Sequence, residues 1–201
     1  MSTIAPAQPM TSAVHLALSD LYRINVREYE RIVAAGVLDG ERVELIDGYV
    51  VRKMPNNPPH SWSTRKILDL VAGFLPPGWL WRLEQPVRIP DFDEPEPDLA
   101  VVRGSLDDYK HRTPVPADVA LLIEVSETTL DRDQGEKLTA YAQGNIPVYW
   151  IVNLIDGHVE VYTGPGPAGY RSRQDFKPGQ TVPVIIDGHE VGRIAVAEIL
   201  P

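Results

Sequence analysis

The sequence predicts an α/β (α+β) fold in which a mixed β-sheet is flanked by helices. Amphipathic and β-rich stretches alternate along the chain in the predicted order α-β-β-α-β-β-β-α-β-β. Residues 119–154 follow a strand, helix, strand pattern, which predicts one right-handed crossover between parallel strands. The stretch 119–123 is apolar at five successive positions, as in a strand buried on both faces.

The composition is that of an ordinary globular protein. The chain has 201 residues with 43% hydrophobic content, enough for one domain with a sizeable core. We expect residues 1–20, which begin with small, polar and proline residues, to form a flexible tail, and residues 21–201 to form a single domain. The chain lacks cysteine, which excludes a disulfide framework and a thiolate zinc site.

Hydropathy and net charge indicate where the protein is located and which partners it can bind. No apolar stretch approaches the roughly 20 residues of a membrane span, and the start does not resemble a signal peptide, so we expect no membrane contact and a cytoplasmic protein. The net charge of −9 argues against a surface coated with phosphate-binding cations, but it leaves room for a local basic groove.

The first predicted helix covers residues 25–36. Asn25 can cap its N-terminus, and Glu28 stands three residues later, at the capping-box position. Gly36 follows as a stop signal. The helix is therefore delimited at both ends by local sequence.

A hairpin and a second helix follow. Two β-rich runs flank Asp47-Gly48, which is a strong signal for a tight turn, and Glu44 lies in the first of the two strands. Residues 61–75 place apolar side chains at helical spacing. Two prolines and a glycine at 76–78 then end the helix.

Most of the rest of the chain is predicted to form strands. Strands are predicted over 80–89, 98–103, 119–125, 147–154 and 158–164, and short strands over 181–200. A third helix is predicted to begin near Asp133, a possible cap, and to end at Gly144. Residues 164–182, rich in Gly, Pro and polar side chains, contain no predicted element.

Two carboxylates are predicted to meet at one edge of the sheet. Asp98 opens one strand and Glu124 lies near the end of the next apolar strand, so these ends coincide if the strands are antiparallel neighbours. Two carboxylates at close range repel unless a cation holds both, and oxygen ligands suit Mg²⁺ or Mn²⁺. Lys137, on the following helix, lies one turn before Tyr141 and can point at the same place.

These stretches, in this order, closely resemble the Uma-two family of restriction-endonuclease-like proteins, within the PD-(D/E)XK nuclease superfamily. The resemblance is carried by "ELIDGYVVRKM", His60, "EPDLAVV" and "LLIEVSETTLDRDQGEKLTAYAQGNIPVYWIV", and it covers about residues 25–163. It implies a restriction-endonuclease-like fold with a metal-dependent phosphodiesterase core. It also implies nucleic acid as substrate, with DNA favoured over RNA.

The resemblance assigns roles by position. Asp98 would be the Asp of the Pro-Asp motif, Glu124 the acid of the E-X-K motif, and Glu44 the upstream glutamate. Asp98 and Glu124 would hold Mg²⁺ or Mn²⁺, with Glu44 supporting that ion or a second one. Lys137 would orient the attacking water, and His60 would contact substrate or transfer a proton.

The sequence departs from the superfamily pattern at two positions. Ser126 stands two residues after Glu124, where the motif has Lys. Members of this family look as though that lysine has moved to the next helix, which makes Lys137 its replacement. Asn153 stands where the family tends to have Asp, and we assign it no role. The other histidines also receive no catalytic role; they are His15, His111, His158 and His189.

Most candidates also have a structural interpretation, which for His60 is that of a hydrogen-bonding residue at a helix start. Lys137 could form a surface ion pair with Asp133, four residues earlier. Glu44 could pair diagonally with Lys53 across the hairpin. Asp98 could stabilise a turn behind its preceding proline.

Three hypotheses follow. The chain is a Mg²⁺-dependent endonuclease, a catalytically inactive relative that binds nucleic acid or a protein, or an unrelated α/β domain whose acids are salt-bridged structure. The first predicts a basic patch beside the acids, for which the candidates are Arg65, Lys66, Lys110, His111 and Arg112. A two-fold homodimer would suit an enzyme that cuts both strands.

Overall fold

The computed structural model describes residues 20–201, so the predicted tail lies outside the described residues except for Asp20. Its helices are α1 (Val26–Ala34), α2 (Pro58–Phe74), α3 (Leu130–Gln134) and α4 (Glu136–Gln143). Its strands are β1 (Val43–Ile46), β2 (Tyr49–Arg52), β3 (Trp79–Leu83), β4 (Leu99–Arg103), β5 (Val119–Ser126), β6 (Val148–Asn153), β7 (His158–Thr163), β8 (Ser172–Phe176), β9 (Thr181–Ile186) and β10 (His189–Ala195). The predicted order of elements is confirmed up to β7, apart from a break in the third helix.

A six-stranded mixed sheet organises these elements. Its strand order is β3-β4-β5-β6-β7-β8, and two separate hairpins are formed by β1-β2 and β9-β10. Strands β5 and β6 pair in parallel, as the strand, helix, strand pattern predicts, and the other neighbours in the sheet are antiparallel. The predicted fold class is therefore confirmed.

Both faces of the sheet are covered. Helix α2 and the β9-β10 hairpin pack on one face, where Ile67 and Val71 of the helix join Ile123 and Trp150 of the sheet in one core. Helix α4 packs on the other face, where Tyr141 contacts a second core. The central strands β5 and β6 are buried along their whole length, which explains their continuous apolar sequences.

The predicted capping box of α1 and the predicted turn of the first hairpin are confirmed. In α1, the Glu28 amide donates to Asn25 Oδ1 at 3.1 Å and the Asn25 amide donates to Glu28 Oε2 at 2.9 Å, which is the predicted capping box. In the first hairpin, Asp47 and Gly48 have φ values of 48° and 79°, as a type I′ turn requires. This hairpin pairs Glu44 with Val51.

Helix α2 starts earlier than predicted. It begins at Pro58 rather than residue 61, because Asn57 caps it by accepting from the His60 amide at 3.0 Å. Strand β3 is shorter than predicted, since Glu84 has φ 46° and ends the extended backbone. The earlier start of α2 places His60 in the first turn of that helix.

The predicted third helix is wrong in two details. It is broken at Gly135, where φ is −106° and ψ is −100°, and a side chain there would place its Cβ 2.8 Å from the Asp131 carbonyl oxygen. Asp133 is not its cap. The Asp133 carboxylate instead accepts hydrogen bonds from the Ser126 and Thr129 hydroxyls, each at 2.7 Å.

Strand β8 was not predicted. It lies in the stretch rich in Gly, Pro and polar residues and pairs with β7 at the edge of the sheet, where its first four residues are exposed. An exposed edge strand needs no apolar alternation, so its sequence carried no strand signal.

Within the described range, no helix combines the length and apolar character of a membrane span.

Candidate active site

Asp98 and Glu124 meet where β4 begins and β5 ends. The two strands are antiparallel, with Leu99 opposite Ile123, as predicted. The Val125 amide donates to Asp98 Oδ2 at 2.7 Å, and the Asp98 amide donates to Glu124 Oε2 at 3.4 Å. The backbone of each strand therefore fixes the carboxylate of the other.

Lys137 reaches into this pair from α4. Its Nζ lies 2.9 Å from Glu124 Oε1, 3.1 Å from Glu44 Oε2 and 4.0 Å from Asp133 Oδ1. Lys137 is 4% exposed and Asp133 is 2% exposed, so the interpretation as a surface ion pair is wrong. One ammonium group is shared by three carboxylates.

Glu44 comes from the first hairpin. Besides Lys137, its Oε2 accepts from the Glu96 amide at 3.1 Å, and Arg132 lies 3.8 Å from its Oε1. The interpretation that pairs Glu44 with Lys53 is wrong, because the Lys53 ammonium bonds Glu96 Oε2 at 3.0 Å instead. The hairpin thus contributes an acid to a site built mainly on the six-stranded sheet.

His60 joins the group from the first turn of α2. Its Nε2 lies 3.0 Å from Asp98 Oδ2, the same oxygen that accepts from the Val125 amide. Asp98 is thus held by the strand and the helix, rather than by the turn contact considered for it. Burial lowers the pKa of His60, but the hydrogen bond to Asp98 and the charges of Asp98, Glu84 and Asp133 together raise it, so the net pKa is raised.

All five predicted site residues line one cavity. Its volume is about 40 Å³, and its walls are Glu44, Lys53, Met54, Asn56, His60, Glu96, Asp98, Glu124, Thr129, Arg132, Asp133 and Lys137. A second cavity of about 30 Å³, bounded by residues 54–57 and 127–129, shares His60 with the first. Together they form a narrow polar cleft that the acids line.

The charges in this cleft are interdependent. Burial alone lowers the pKa of Lys137, but Glu124, Glu44 and Asp133 raise it well above its usual range, so the ammonium stays charged. Burial raises the pKa of Glu124, and Lys137 only partly opposes this because Asp133 and Asp98 add repulsion. The cluster holds more negative than positive charge.

Sequence reasoning missed two residues that hold this cluster. The Tyr141 hydroxyl donates to Glu124 Oε1 at 2.7 Å, and Asp133 links Lys137 to Ser126 through its other oxygen. The spacing of Lys137 and Tyr141 on one helical turn was the available signal.

The predicted basic patch does not border this cavity. Arg65 pairs with Asp69 on the exposed face of α2, Lys110 pairs with Asp107, and Arg112 pairs with Asp118. The cations that line the cavity, besides Lys137 and His60, are Lys53 and Arg132. The patch was predicted from local runs of basic residues, which carry no information on which end of the sheet they reach.

Two carboxylate oxygens in the cleft are available to a divalent cation. Among residues 20–201, no three Asp, Glu, His or Cys side chains are arranged to hold a metal ion. Glu44 is directed to Lys137 and the Glu96 amide. Asp98 Oδ1, however, accepts no hydrogen bond from the described chain, and Glu124 Oε2 accepts only the long one from Asp98. These two oxygens fit the carboxylate ligands of Mg²⁺ or Mn²⁺, with water completing the shell.

The fold and this cluster define a nuclease-like α/β protein. Residues 26–191 match the Uma2 family, whose description is "Putative restriction endonuclease". The chain belongs to this family, which confirms the resemblance to the Uma-two family and makes the hypothesis of an unrelated domain wrong. That hypothesis also predicted acids paired with basic residues. This holds, but Glu44 and Glu124 share Lys137, whereas Asp98 contacts His60.

A solved structure has a similar fold. It is the crystal structure of "a putative nuclease belonging to DUF820" from Anabaena variabilis ATCC 29413, with a TM-score of 0.58 and 16% identity. The alignment covers 78% of this chain and 88% of that one. At this identity the similarity concerns the fold alone. No curated protein matches the chain significantly.

Proposed function

We propose that this chain is a Mg²⁺- or Mn²⁺-dependent endonuclease that hydrolyses phosphodiester bonds in nucleic acid, with DNA favoured. The observation that carries the proposal is the convergence of Asp98, Glu124, Glu44, Lys137 and His60 on one cleft. These residues come from separate elements of the chain. Membership in a family described as restriction endonucleases supports the same reaction class.

The chain supplies two carboxylates for the cation. Asp98 and Glu124 would hold it through the oxygens that the rest of the protein leaves available. The ion would supply Lewis-acid polarisation of the phosphate. Glu44 would support the site indirectly by anchoring Lys137, 3.1 Å away.

Lys137 is the cation that the chain itself brings to the reaction. Its ammonium is a flexible point charge with three donors, of which one hydrogen-bonds Glu124 and a second faces Glu44 in an ion pair. The third can orient the attacking water and offset charge on the phosphoryl oxygens. This is the role of the motif lysine, whose usual position Ser126 occupies here.

His60 has two roles in the proposal. Its Nε2 hydrogen bond positions Asp98, and its ring borders both parts of the cleft, where it can contact the substrate. The side chain is 13% exposed, enough for a small polar contact. The proposal also includes a two-fold homodimer and a cytoplasmic location.

A second candidate is a nuclease-fold protein that binds nucleic acid or a protein without cutting. It is favoured by one observation: the Lys137 ammonium already pairs with Glu124 and Glu44 from a buried position. In that case the acids and the lysine form a stable internal salt bridge with little affinity for a cation.

One experiment separates the two candidates. Mg²⁺ and Mn²⁺ binding is measured by calorimetry on the wild type, Asp98→Asn and Glu124→Gln, followed by a plasmid-nicking assay on the same samples. Asp69→Asn, an exposed acid on α2, is the matched control. The proposal expects binding and nicking in the wild type and the control, and loss of both in the two site variants. A folded wild type that neither binds millimolar cation nor nicks DNA would refute it.

A further inference from the structure

A larger cavity outside the cleft is lined mainly by basic side chains. Its volume is about 700 Å³, and its cations are Arg82, Arg88, Lys110 and Arg112, with His111 beside them. Glu30 is the one acid on its wall. In a chain whose net charge is −9, such a concentration of positive charge points to an anionic ligand.

Arg82 is the most informative of these residues. It lies in β3 and is 9% exposed, and its Nε is buried without a hydrogen-bond partner. Within residues 20–201 no acid forms an ion pair with it, and its guanidinium lies over the Tyr109 ring, 5.3 Å from the centroid. Burying a cation without an anionic partner is unfavourable. An anionic ligand in this cavity would provide the partner that Arg82 lacks.

The other three cations each contact an acidic side chain. Arg88 pairs with Glu30 at 3.3 Å, and Lys110 pairs with Asp107 at 2.7 Å between two exposed side chains, a kind of contact that stabilises little. Arg112 pairs with Asp118 and, like Arg82, lies over Tyr109, 4.6 Å from the centroid. Two guanidinium groups therefore share one aromatic ring at the wall of the cavity.

We propose that this cavity binds backbone phosphates of the nucleic acid, apart from the scissile one. The inference rests on the proposed function, because it names the surface that would hold the substrate. Arginine forks match phosphate oxygens in bidentate geometry, as they also match carboxylates, so the competitors below have to distinguish the two.

The position of Arg82 relative to the cleft fits this role. Arg82 pairs with Ala100 across β3 and β4, and Ala100 is two residues from Asp98. Two strand residues span about 7 Å. The charges of one DNA strand repeat about every 3.4 Å along the helix axis, so the same strand can contact both places.

The test measures binding of a short fluorescein-labelled DNA duplex by anisotropy, in EDTA, at several salt concentrations. The test variant is Lys110→Ala/Arg112→Ala. The matched control is Arg65→Ala/Lys66→Ala, which also removes two exposed cations, one of them ion-paired. The expected result is a loss of about tenfold or more and a salt slope smaller by about two in the test variant only. Equal losses in both variants, or no loss in the first, would overturn the proposal.

Arg82→Met provides a readout that a structural role would not give. Removing an unpaired buried cation should leave the melting temperature unchanged or raise it, while binding weakens. A lower melting temperature with unchanged affinity would mean that Arg82 is structural, and would overturn its assignment.

Two competitors identify the ligand. Inorganic phosphate and polyglutamate should both compete poorly with the duplex. Displacement by millimolar phosphate, or tighter binding of polyglutamate that depends on Lys110 and Arg112, would overturn the proposal in favour of a free anion or an acidic protein. The nuclease proposal is decided separately, by the nicking assay on Asp98→Asn. If the duplex binds through this cavity but is not nicked, the nuclease proposal fails and the phosphate-binding cavity is still supported.

Discussion

Lys137 Nζ lies 2.9 Å from Glu124 Oε1, and both side chains are buried. This contact joins the first turn of α4 to the end of β5. Either charge alone would be costly at such a depth, whereas together they compensate each other. Since Glu44 and Asp133 also surround the ammonium, the group keeps excess negative charge, which is what a divalent cation requires.

Replacing Lys137 by Met should destabilise the protein and abolish nicking. The change leaves Glu124 and Glu44 buried without their cation, and removing one partner of a buried pair costs about 3–5 kcal/mol. Urea denaturation in EDTA measures the loss. Mg²⁺ should restore part of the stability if Glu124 then binds the ion.

Two further variants test the cause of that loss. Lys137→Met/Glu44→Gln should recover part of the stability, because one uncompensated charge is gone. Lys66→Met, an exposed change on α2, should alter stability by less than about 0.5 kcal/mol. A Lys137→Met protein as stable as the wild type would show that the ion pair is not compensating buried charge.

Tyr141→Phe should lower the free energy of unfolding by about 1.5–3 kcal/mol, the range for a hydrogen bond to a charged group. The hydroxyl donates to Glu124 Oε1 at 2.7 Å inside the core. Tyr170→Phe is the control, since its hydroxyl donates to a neutral carbonyl, that of Ile146, at 2.9 Å. Thermal and urea denaturation should rank the two losses in that order. The reverse ranking would mean that the Glu124 carboxylate is neutral in the folded protein.

The sequence was informative about the site because the site lies where strands end. Asp98 and Glu124 stand at the ends of two apolar runs, and antiparallel pairing brings such ends together whatever the details of packing. Lys137 was accessible to the same reasoning because helix periodicity fixes its face. The resemblance to a family added Glu44, which no local pattern connects to the sheet.

Other features depend on tertiary contacts that no local pattern encodes. The break at Gly135 follows from a close approach to the Asp131 carbonyl, and Asp133 is buried because Ser126 and Thr129 donate to it. Arg82 gave no signal, since an alternating strand sequence does not reveal whether a cation finds an acid. In each of these examples, the conformation or burial of the residue depends on neighbours that are distant from it in the sequence or that its local pattern does not reveal.

Glu94 should make the protein less stable as the pH rises. It is 7% exposed, its Oε2 has no hydrogen-bond partner, and burial, followed by repulsion from Glu30, raises its pKa from 4.5 to about 7. Between these values the folded state binds more protons than the unfolded state, so stability falls across that window and is constant above it. At about 1.4 kcal/mol per pKa unit, the total is roughly 3 kcal/mol.

Glu94→Gln should remove this dependence. We expect the variant to match the wild type near pH 4.5 and to exceed it in stability at pH 8, when the two are compared by urea denaturation across the range. Glu41→Gln, an exposed acid, should leave the wild-type profile unchanged. Parallel profiles for wild type and Glu94→Gln would show that another group governs the pH dependence.

Asn153→Asp should destabilise the protein although the Uma-two family tends to have Asp there. The Asn153 side-chain amide donates to Glu160 Oε1 and to Asp156 Oδ2, each at 3.0 Å, and an aspartate cannot donate to either when ionised. Glu160 is fully buried, so the new carboxylate would repel it at close range. The expected loss is about 1–3 kcal/mol at pH 8 and smaller at pH 5, where the new group can be protonated. The double variant Asn153→Asp/Glu160→Gln should recover most of the lost stability. Equal stability of Asn153→Asp and the wild type at pH 8 would mean that Arg173, 3.4 Å from Glu160, compensates both charges.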